Sequence, residues 1–79
     1  MRPEQCRAAR ALLNWRLHDL AGRANVSSKT VSLFENGTRA THVAVVRVMR
    51  AELEAGGVVF INDDACGPGV ALSLQEAAA

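Results

Sequence analysis

The stretch LHDLAGRANVSSKTVSLFEN, residues Leu17 to Asn36, decides how this chain is expected to fold. Its apolar residues recur at helical spacing in two short segments, and a small residue, Ala21, lies where the two segments must approach closely. Asn25 stands between the segments and tolerates the left-handed backbone conformation that a helix end often needs. The pattern therefore predicts two short helices joined by a turn of about three residues.

The second of these helices is predicted to present a small polar face. Ser27 is suited to cap it by accepting a hydrogen bond from a backbone N–H two or three residues on. Val31 and Phe34 then fall on the buried side, and Asn36-Gly37 ends the helix. The outward positions of its N-terminal half are Ser28, Lys29 and Ser32, with Leu33 one step further round.

Helices are predicted on both sides of this motif. Pro3 opens the first, and its inward face carries Cys6, Ala9, Arg10 and Leu13. A polar linker, residues 38–41, leads to the fourth helix. Its buried side carries Val46, Met49 and Leu53, and Gly56-Gly57 terminates it.

The apolar period shortens after Gly57, which predicts two strands. Val58 to Ile61 is β-branched and aromatic, and Val70 to Leu74 alternates apolar and small or polar residues. Residues 62–69 are expected to form the loop between them. The fold class is therefore mainly α, with a helical domain at 1–57 and a C-terminal β-hairpin and tail at 58–79.

The charge of the chain is divided unevenly along its length. The 79 residues carry a net charge of only +1, but residues 1–50 hold all nine basic side chains and three of the eight acidic ones. Residues 51–79 hold the other five acidic side chains and no basic one. This asymmetry predicts an N-terminal part that meets a polyanion and a C-terminal part kept away from it. An ordinary solvated surface is the alternative.

Composition and spacing argue against several other classes of protein. No apolar run approaches the roughly 20 residues of a membrane span, and no apolar leader segment is visible, so a cytoplasmic protein with reduced thiols is expected. The possible zinc ligands lie too far apart in sequence for a structural site. They are Cys6, His18, His42 and Cys66. With no glycine-framed nucleophile and no phosphate-binding loop, neither a metal, a cofactor nor an enzyme is expected.

From about Pro3 to Leu53 the chain resembles the phage-repressor-like (Xre/Cro-type) helix-turn-helix family. The matching residues are Leu20-Ala21, Val26-Ser27, Val31 and Phe34-Glu35-Asn36-Gly37, preceded at the matching distance by Arg10. The resemblance implies a lambda-repressor-like bundle of four helices whose second motif helix enters the DNA major groove. It also implies double-stranded operator DNA as the partner, and the remaining length favours a repressor without an effector domain.

The resemblance implies roles for individual residues. Arg10 on the first helix pairs with Glu35, because an arginine on an apolar face needs a carboxylate. Lys29 donates to guanine, and the neighbouring serines donate or accept. Leu33 has two interpretations of equal weight: it touches a thymine methyl, or it belongs to the core.

Phosphate contacts are expected at the ends of the motif helices. The family usually places a serine cap and a phosphate-binding glutamine where this chain has Arg16-Leu17. Arg16 can supply charge instead, and Leu17 can offer its backbone N–H. Thr38 and Arg39 follow the second motif helix and are also placed for phosphates; a solvated surface arginine is the alternative for Arg39.

The predicted hairpin bears on assembly. Four apolar residues in a row give it two apolar faces, so one face is expected to pack under the fourth helix and the other against a second copy. Pairing of edge strands is one route to such a homodimer. The residues assigned to this contact are Val58, Val59, Phe60, Ile61, Val70, Leu72 and Leu74. The alternative function is a protein-interaction module, of the antitoxin or antiactivator type, whose hairpin binds a different protein.

Overall fold

Four helices and a C-terminal hairpin make up the fold in the computed structural model, which describes residues 1–38, 40–63 and 67–73. The elements are α1 (Pro3–Leu13), α2 (Leu17–Ala24), α3 (Ser28–Asn36), α4 (Val43–Ala55), β1 (Val58–Asp63) and β2 (Gly67–Leu72). The prediction of a mainly helical protein with a two-stranded antiparallel hairpin is confirmed. Within the described ranges, none of the helices has the length and apolarity needed to cross a membrane.

The helix ends follow from local chemistry. α1 begins at Pro3, and the Arg2 N–H before it donates to the side-chain oxygen of Gln5 at 2.8 Å. α2 ends at Asn25, which adopts the left-handed conformation with φ 57° and ψ 45°. α3 ends at Gly37, which is also left-handed with φ 66°. The turn between the two motif helices therefore forms without a glycine, because asparagine tolerates this region.

The core lies where the apolar faces of the helices meet the first residue of the hairpin. α2 packs against both α3 and α4, and Ala21 and Ala24 allow the close approach. The buried apolar residues are Cys6, Ala9, Leu20, Ala21, Ala24, Val31, Phe34, Met49, Leu53 and Val58.

The hairpin differs from the prediction in its bounds. Val58 lies opposite Leu72, and the ladder continues to Asp63 opposite Gly67. Residues 62–63 and 67–69, expected in the loop, are therefore paired, and β2 ends at Leu72 instead of Leu74. Gly67-Pro68-Gly69 is typical of a loop, but an edge strand tolerates proline. Leu74 itself lies outside the described residues.

Two helices support the hairpin, whereas the sequence pointed to α4 alone. The Gln5 side-chain amide of α1 is buried and donates to the carbonyl oxygens of Ile61 (3.2 Å) and Gly69 (3.1 Å), one in each strand. From α4, the Arg50 guanidinium carbon lies 4.8 Å from the ring centroid of Phe60. The hairpin is thus attached to both helices through polar as well as apolar contacts.

A close approach shapes the junction between α4 and the hairpin. A Cβ on Gly56 would lie 2.8 Å from Leu13 Cδ1 and 3.0 Å from Trp15 Cζ2. Only glycine fits this junction without displacing those side chains. Trp15 packs against the core on one side, and Arg23 of α2 stacks over its ring at 4.3 Å.

The two faces of the hairpin are both apolar. Val58 is buried, and Phe60 and Val70 pack against the helices. Val59 is 49% exposed and Ile61 39% exposed. The helical domain therefore covers only one face of this small sheet.

Candidate nucleic-acid interface

The N-terminus of α3 is built to hold its first turn at the protein surface. The Ser27 hydroxyl oxygen accepts a hydrogen bond from the Thr30 backbone N–H at 3.1 Å and lies 2.9 Å from the Thr30 hydroxyl. Ser28 and Lys29 follow the cap and are exposed, while Val31 and Phe34 turn into the core. The polar and apolar positions of α3 thus separate onto opposite sides, as the helical period requires.

Asn36 lies on the outer face of α3 but was not among the residues predicted to face outward. Ser32 is half-buried, and its hydroxyl oxygen accepts a hydrogen bond from the Asn36 side-chain amide at 3.4 Å. Asn36 is exposed and lies one turn beyond Ser32 on the same side. The i,i+4 spacing of these two residues is a signal for this contact, whereas the sequence pattern had indicated Asn36 only as part of the helix stop and of the family resemblance.

Leu33 points toward the linker that follows α3. It is half-buried and lines an open cavity of about 200 Å³ together with residues of α3, the linker and the start of α4. The other lining residues are Thr30, Ala40, Thr41, His42 and Val45. Among the residues that the structure describes, Leu33 is half-buried and is not part of the core cluster.

The C-terminal turn of α3 is anchored on α1 by a buried ion pair. Arg10 Nε lies 2.6 Å from Glu35 Oε2, and Arg10 Nη2 lies 2.7 Å from Glu35 Oε1. Glu35 is only 4% exposed. Arg10 Nη1 also donates to the Trp15 carbonyl oxygen at 3.1 Å, so one guanidinium connects α3 to the turn after α1. Hydrogen bonding to Glu35 raises the pKa of Arg10, so the guanidinium stays protonated.

Two further donors from α1 complete this anchor. The Cys6 thiol donates to Glu35 Oε2 at 3.1 Å, and Arg7 Nη1 donates to the Glu35 backbone carbonyl at 2.9 Å. Burial raises the pKa of the Cys6 thiol, and its hydrogen bond to Glu35 raises it further, so the thiol stays protonated and unreactive. Cys6 and Arg7 were not assigned to this contact from the sequence.

The start of α2 combines favourable and unfavourable features for a phosphate. Arg16 is exposed, as a phosphate contact requires, and the Leu17 side chain packs against the core and leaves only its backbone N–H for binding. The Arg16 backbone N–H is already taken by the Asp19 carboxylate at 2.8 Å. Asp19 therefore caps α2 with a negative charge beside the expected phosphate position.

The linker after α3 contains two predicted phosphate contacts, of which the structure describes one. Thr38 is exposed, while Arg39 lies outside the described residues. His42 caps α4, because its ring nitrogen Nδ1 accepts a hydrogen bond from the Ala44 backbone N–H at 3.1 Å.

Metal-ligating residues do not converge in the described part of the chain. No group of three histidine, cysteine or acidic side chains lies close enough there to hold an ion. Cys6 is occupied by its bond to Glu35, and Cys66 lies outside the described residues.

Comparison of the chain with protein-family models and with curated proteins gave no significant match.

Proposed function

We propose that this protein is a sequence-specific DNA-binding transcriptional regulator of the phage-repressor-like (Xre/Cro-type) helix-turn-helix family, acting as a homodimeric repressor. The observation that carries the proposal is the arrangement of α3. Its C-terminal turn is anchored on α1 through Glu35, and its N-terminal turn leaves Ser28 and Lys29 exposed. A rigidly held helix with an exposed polar N-terminal half is what base recognition in a major groove needs.

Lys29 is the principal base-reading residue in this proposal. Its ammonium group can donate to the O6 and N7 acceptors of guanine, which line the major groove. Ser28 and Ser32 donate or accept and add little discrimination alone. Asn36, on the same side of α3, is a further candidate, because an asparagine amide pairs with the acceptor and donor of adenine.

Leu33 is assigned an apolar contact at the edge of this surface. It lies between the outer face of α3 and the linker, with part of its side chain exposed. A thymine methyl is the apolar group that a major groove offers to such a residue.

Phosphate contacts are assigned to groups on both sides of α3. Arg16 and the Leu17 backbone N–H contribute from the start of α2, and Thr38 and Arg39 from the linker. Asp19 weakens the first of these positions through its negative charge. We therefore expect the linker to supply more of the phosphate binding than the start of α2.

The uneven charge supports the orientation on DNA. All nine basic side chains precede residue 51, and the hairpin lies in the acidic part of the chain. A hairpin held away from the duplex is available to join two copies. Two recognition helices about 34 Å apart would then meet successive major grooves of a palindromic operator.

Binding to a palindromic fragment from the region upstream of the protein's own gene tests the proposal. Fluorescence anisotropy across a salt series is expected to show tighter binding to this fragment than to a scrambled one of equal length. The affinity should fall with salt by about 0.9 in log–log slope for each neutralised phosphate. Equal binding to both fragments at every salt concentration would contradict sequence-specific recognition.

The second candidate function is a protein-interaction module of the antitoxin or antiactivator type. The exposed outer face of the hairpin, with Val59 and Ile61, is the observation that favours it. A protein that shows no sequence preference on DNA but co-purifies with a different protein at this face would have that function.

A further inference from the structure

The two strands of the hairpin present different outer edges. The Ser73 backbone N–H donates to the Gly57 carbonyl oxygen at 2.7 Å, which makes these two residues a hydrogen-bonded pair beside the ladder. Pairs alternate along an antiparallel ladder, so Ile61 and Gly69 bond to each other, whereas Phe60 and Asn62 direct their backbone N–H and C=O groups away from β2.

The outer edge of β2 is protected against pairing. Pro68 lies opposite Asn62, at a position where a backbone N–H would point outward from β2. Proline has no such N–H, and proline on an edge strand is a common way to prevent another strand from adding there.

Residues 58–62 give the outer edge of β1 no comparable protection. Residues 58–62, Val-Val-Phe-Ile-Asn, contain no charge, no proline and no glycine. Apart from the ladder, no hydrogen bond among the described residues uses the backbone groups of Phe60 or Asn62. An apolar edge strand of this kind is a template for another strand.

We propose that β1 is the dimer interface, with the β1 strands of two copies paired antiparallel about a two-fold axis. The result is a four-stranded sheet with the two β1 strands at its centre and the two β2 strands outside. This inference rests on the dimer of the proposed function and names the surface that forms it.

A second copy is the occupant that this edge fits. Antiparallel pairing of a strand with itself brings each outward N–H opposite an outward C=O of the partner. Because residues 58–62 are uncharged, the two-fold axis brings no like charges together there. Pairing also places Val59 and Ile61 beside their counterparts, which removes part of their exposed apolar surface from water.

Amide hydrogen exchange on the unmodified protein tests the edge directly. The amides of Phe60 and Asn62 are expected to become protected as the concentration rises from micromolar to millimolar. The matched outward amides of β2, at Val70 and Leu72, are expected to exchange without such a dependence. Equal behaviour of the two edges, or a protein that sediments as a monomer throughout, would overturn the proposal.

Two proline substitutions provide a matched pair. Asn62→Pro removes an outward N–H from β1, and Leu72→Pro removes one from β2; neither residue donates within the ladder. The Asn62→Pro change is expected to raise the dimer dissociation constant at least about tenfold, because the symmetry removes a bond at each end of the interface. The Leu72→Pro change is expected to leave it within about twofold, because the proposed interface lies on β1 and leaves out Val70 and Leu72 of β2, which the sequence pattern had assigned to the dimer contact. Hydrogen exchange decides the question if a variant does not fold.

These measurements use no DNA, so they separate two kinds of failure. A dimer with protected β1 amides that shows no preference for any operator upholds the interface and overturns the proposed regulator. A dimer that binds operator DNA but leaves the β1 amides unprotected overturns the interface alone.

Discussion

The two ends of α3 differ in how strongly their side chains are bound to the rest of the fold. At the C-terminal end, the Glu35 carboxylate and backbone carbonyl receive donors from Arg10, Cys6 and Arg7, and Glu35 is buried. At the N-terminal end, the side chain of Lys29 is exposed, and only the cap at Ser27 is committed to the fold. One short helix can therefore hold its position with one turn and leave another turn exposed.

The largest expected effect comes from breaking the anchor with Glu35→Ala. The substitution leaves the Arg10 guanidinium largely buried without its carboxylate, which should reduce the free energy of unfolding by about 3 kcal/mol. This is the lower end of the range for such pairs, because Arg10 retains some exposure. Urea unfolding followed by circular dichroism measures the loss.

The exposed pair between Arg50 and Glu54 is the control for this comparison. Its Nε to Oε2 distance is 3.2 Å, but both side chains are well exposed. Glu54→Ala is expected to cost less than about 0.5 kcal/mol. Equal losses of unfolding free energy in the two variants would show that the buried pair at Glu35 stabilises the fold no more than the exposed pair at Glu54 does.

At the other end of α3, Lys29→Ala is expected to weaken specific DNA binding about tenfold and non-specific binding much less. Thermal unfolding should not change, since the Lys29 side chain is exposed. Anisotropy titrations of the specific and scrambled fragments give the two affinities.

The matched control for Lys29 is Arg2→Ala, which removes one positive charge near the hairpin. Arg2 is exposed and pairs with Glu4, and its neighbour Gln5 contacts the hairpin. We expect this variant to bind the specific fragment nearly as well as the unmodified protein. Equal losses on both fragments for Lys29→Ala would make Lys29 a phosphate contact instead of a base contact.

A smaller effect is expected from removing the cap of α3. Ser27→Ala deletes the acceptor for the Thr30 N–H and should cost about 1 kcal/mol of stability. Ser28→Ala, one residue later, has no cap to lose and should change the free energy of unfolding by less than about 0.5 kcal/mol. Chemical denaturation compares the two, and a cost for Ser28→Ala as large as that for Ser27→Ala would remove the distinction between cap and exposed face.

A pH dependence of stability is also expected from the anchor at Cys6. Because burial raises the pKa of this thiol in the folded state, its contribution to stability is complete below the ordinary thiol pKa of about 8.5 and declines as the pH rises above it. The thermal midpoint should therefore fall between pH 8 and pH 10 by more in the unmodified protein than in Cys6→Ala. Parallel curves would show that the thiol takes no part in this dependence.

Local signals in the sequence were enough to predict the helices and the placement of residues along α3. The cap at Ser27, the left-handed turn at Asn25 and the buried positions Val31 and Phe34 each depend on neighbours a few residues away. The same holds for the exposure of Ser28 and Lys29. Such features are readable because helix periodicity and capping act over one or two turns.

Local patterns in the sequence were therefore sufficient to specify the helical elements, the apolar character of both hairpin faces and the exposed polar turn of α3. Three-dimensional packing was needed to establish the hairpin register and the bonds of Gln5 to strands 56 and 64 residues away, together with the full set of donors around Glu35. The reason is that these contacts join segments distant in the chain. Which residues meet depends on how the elements pack, and residue spacing within one element does not reveal it.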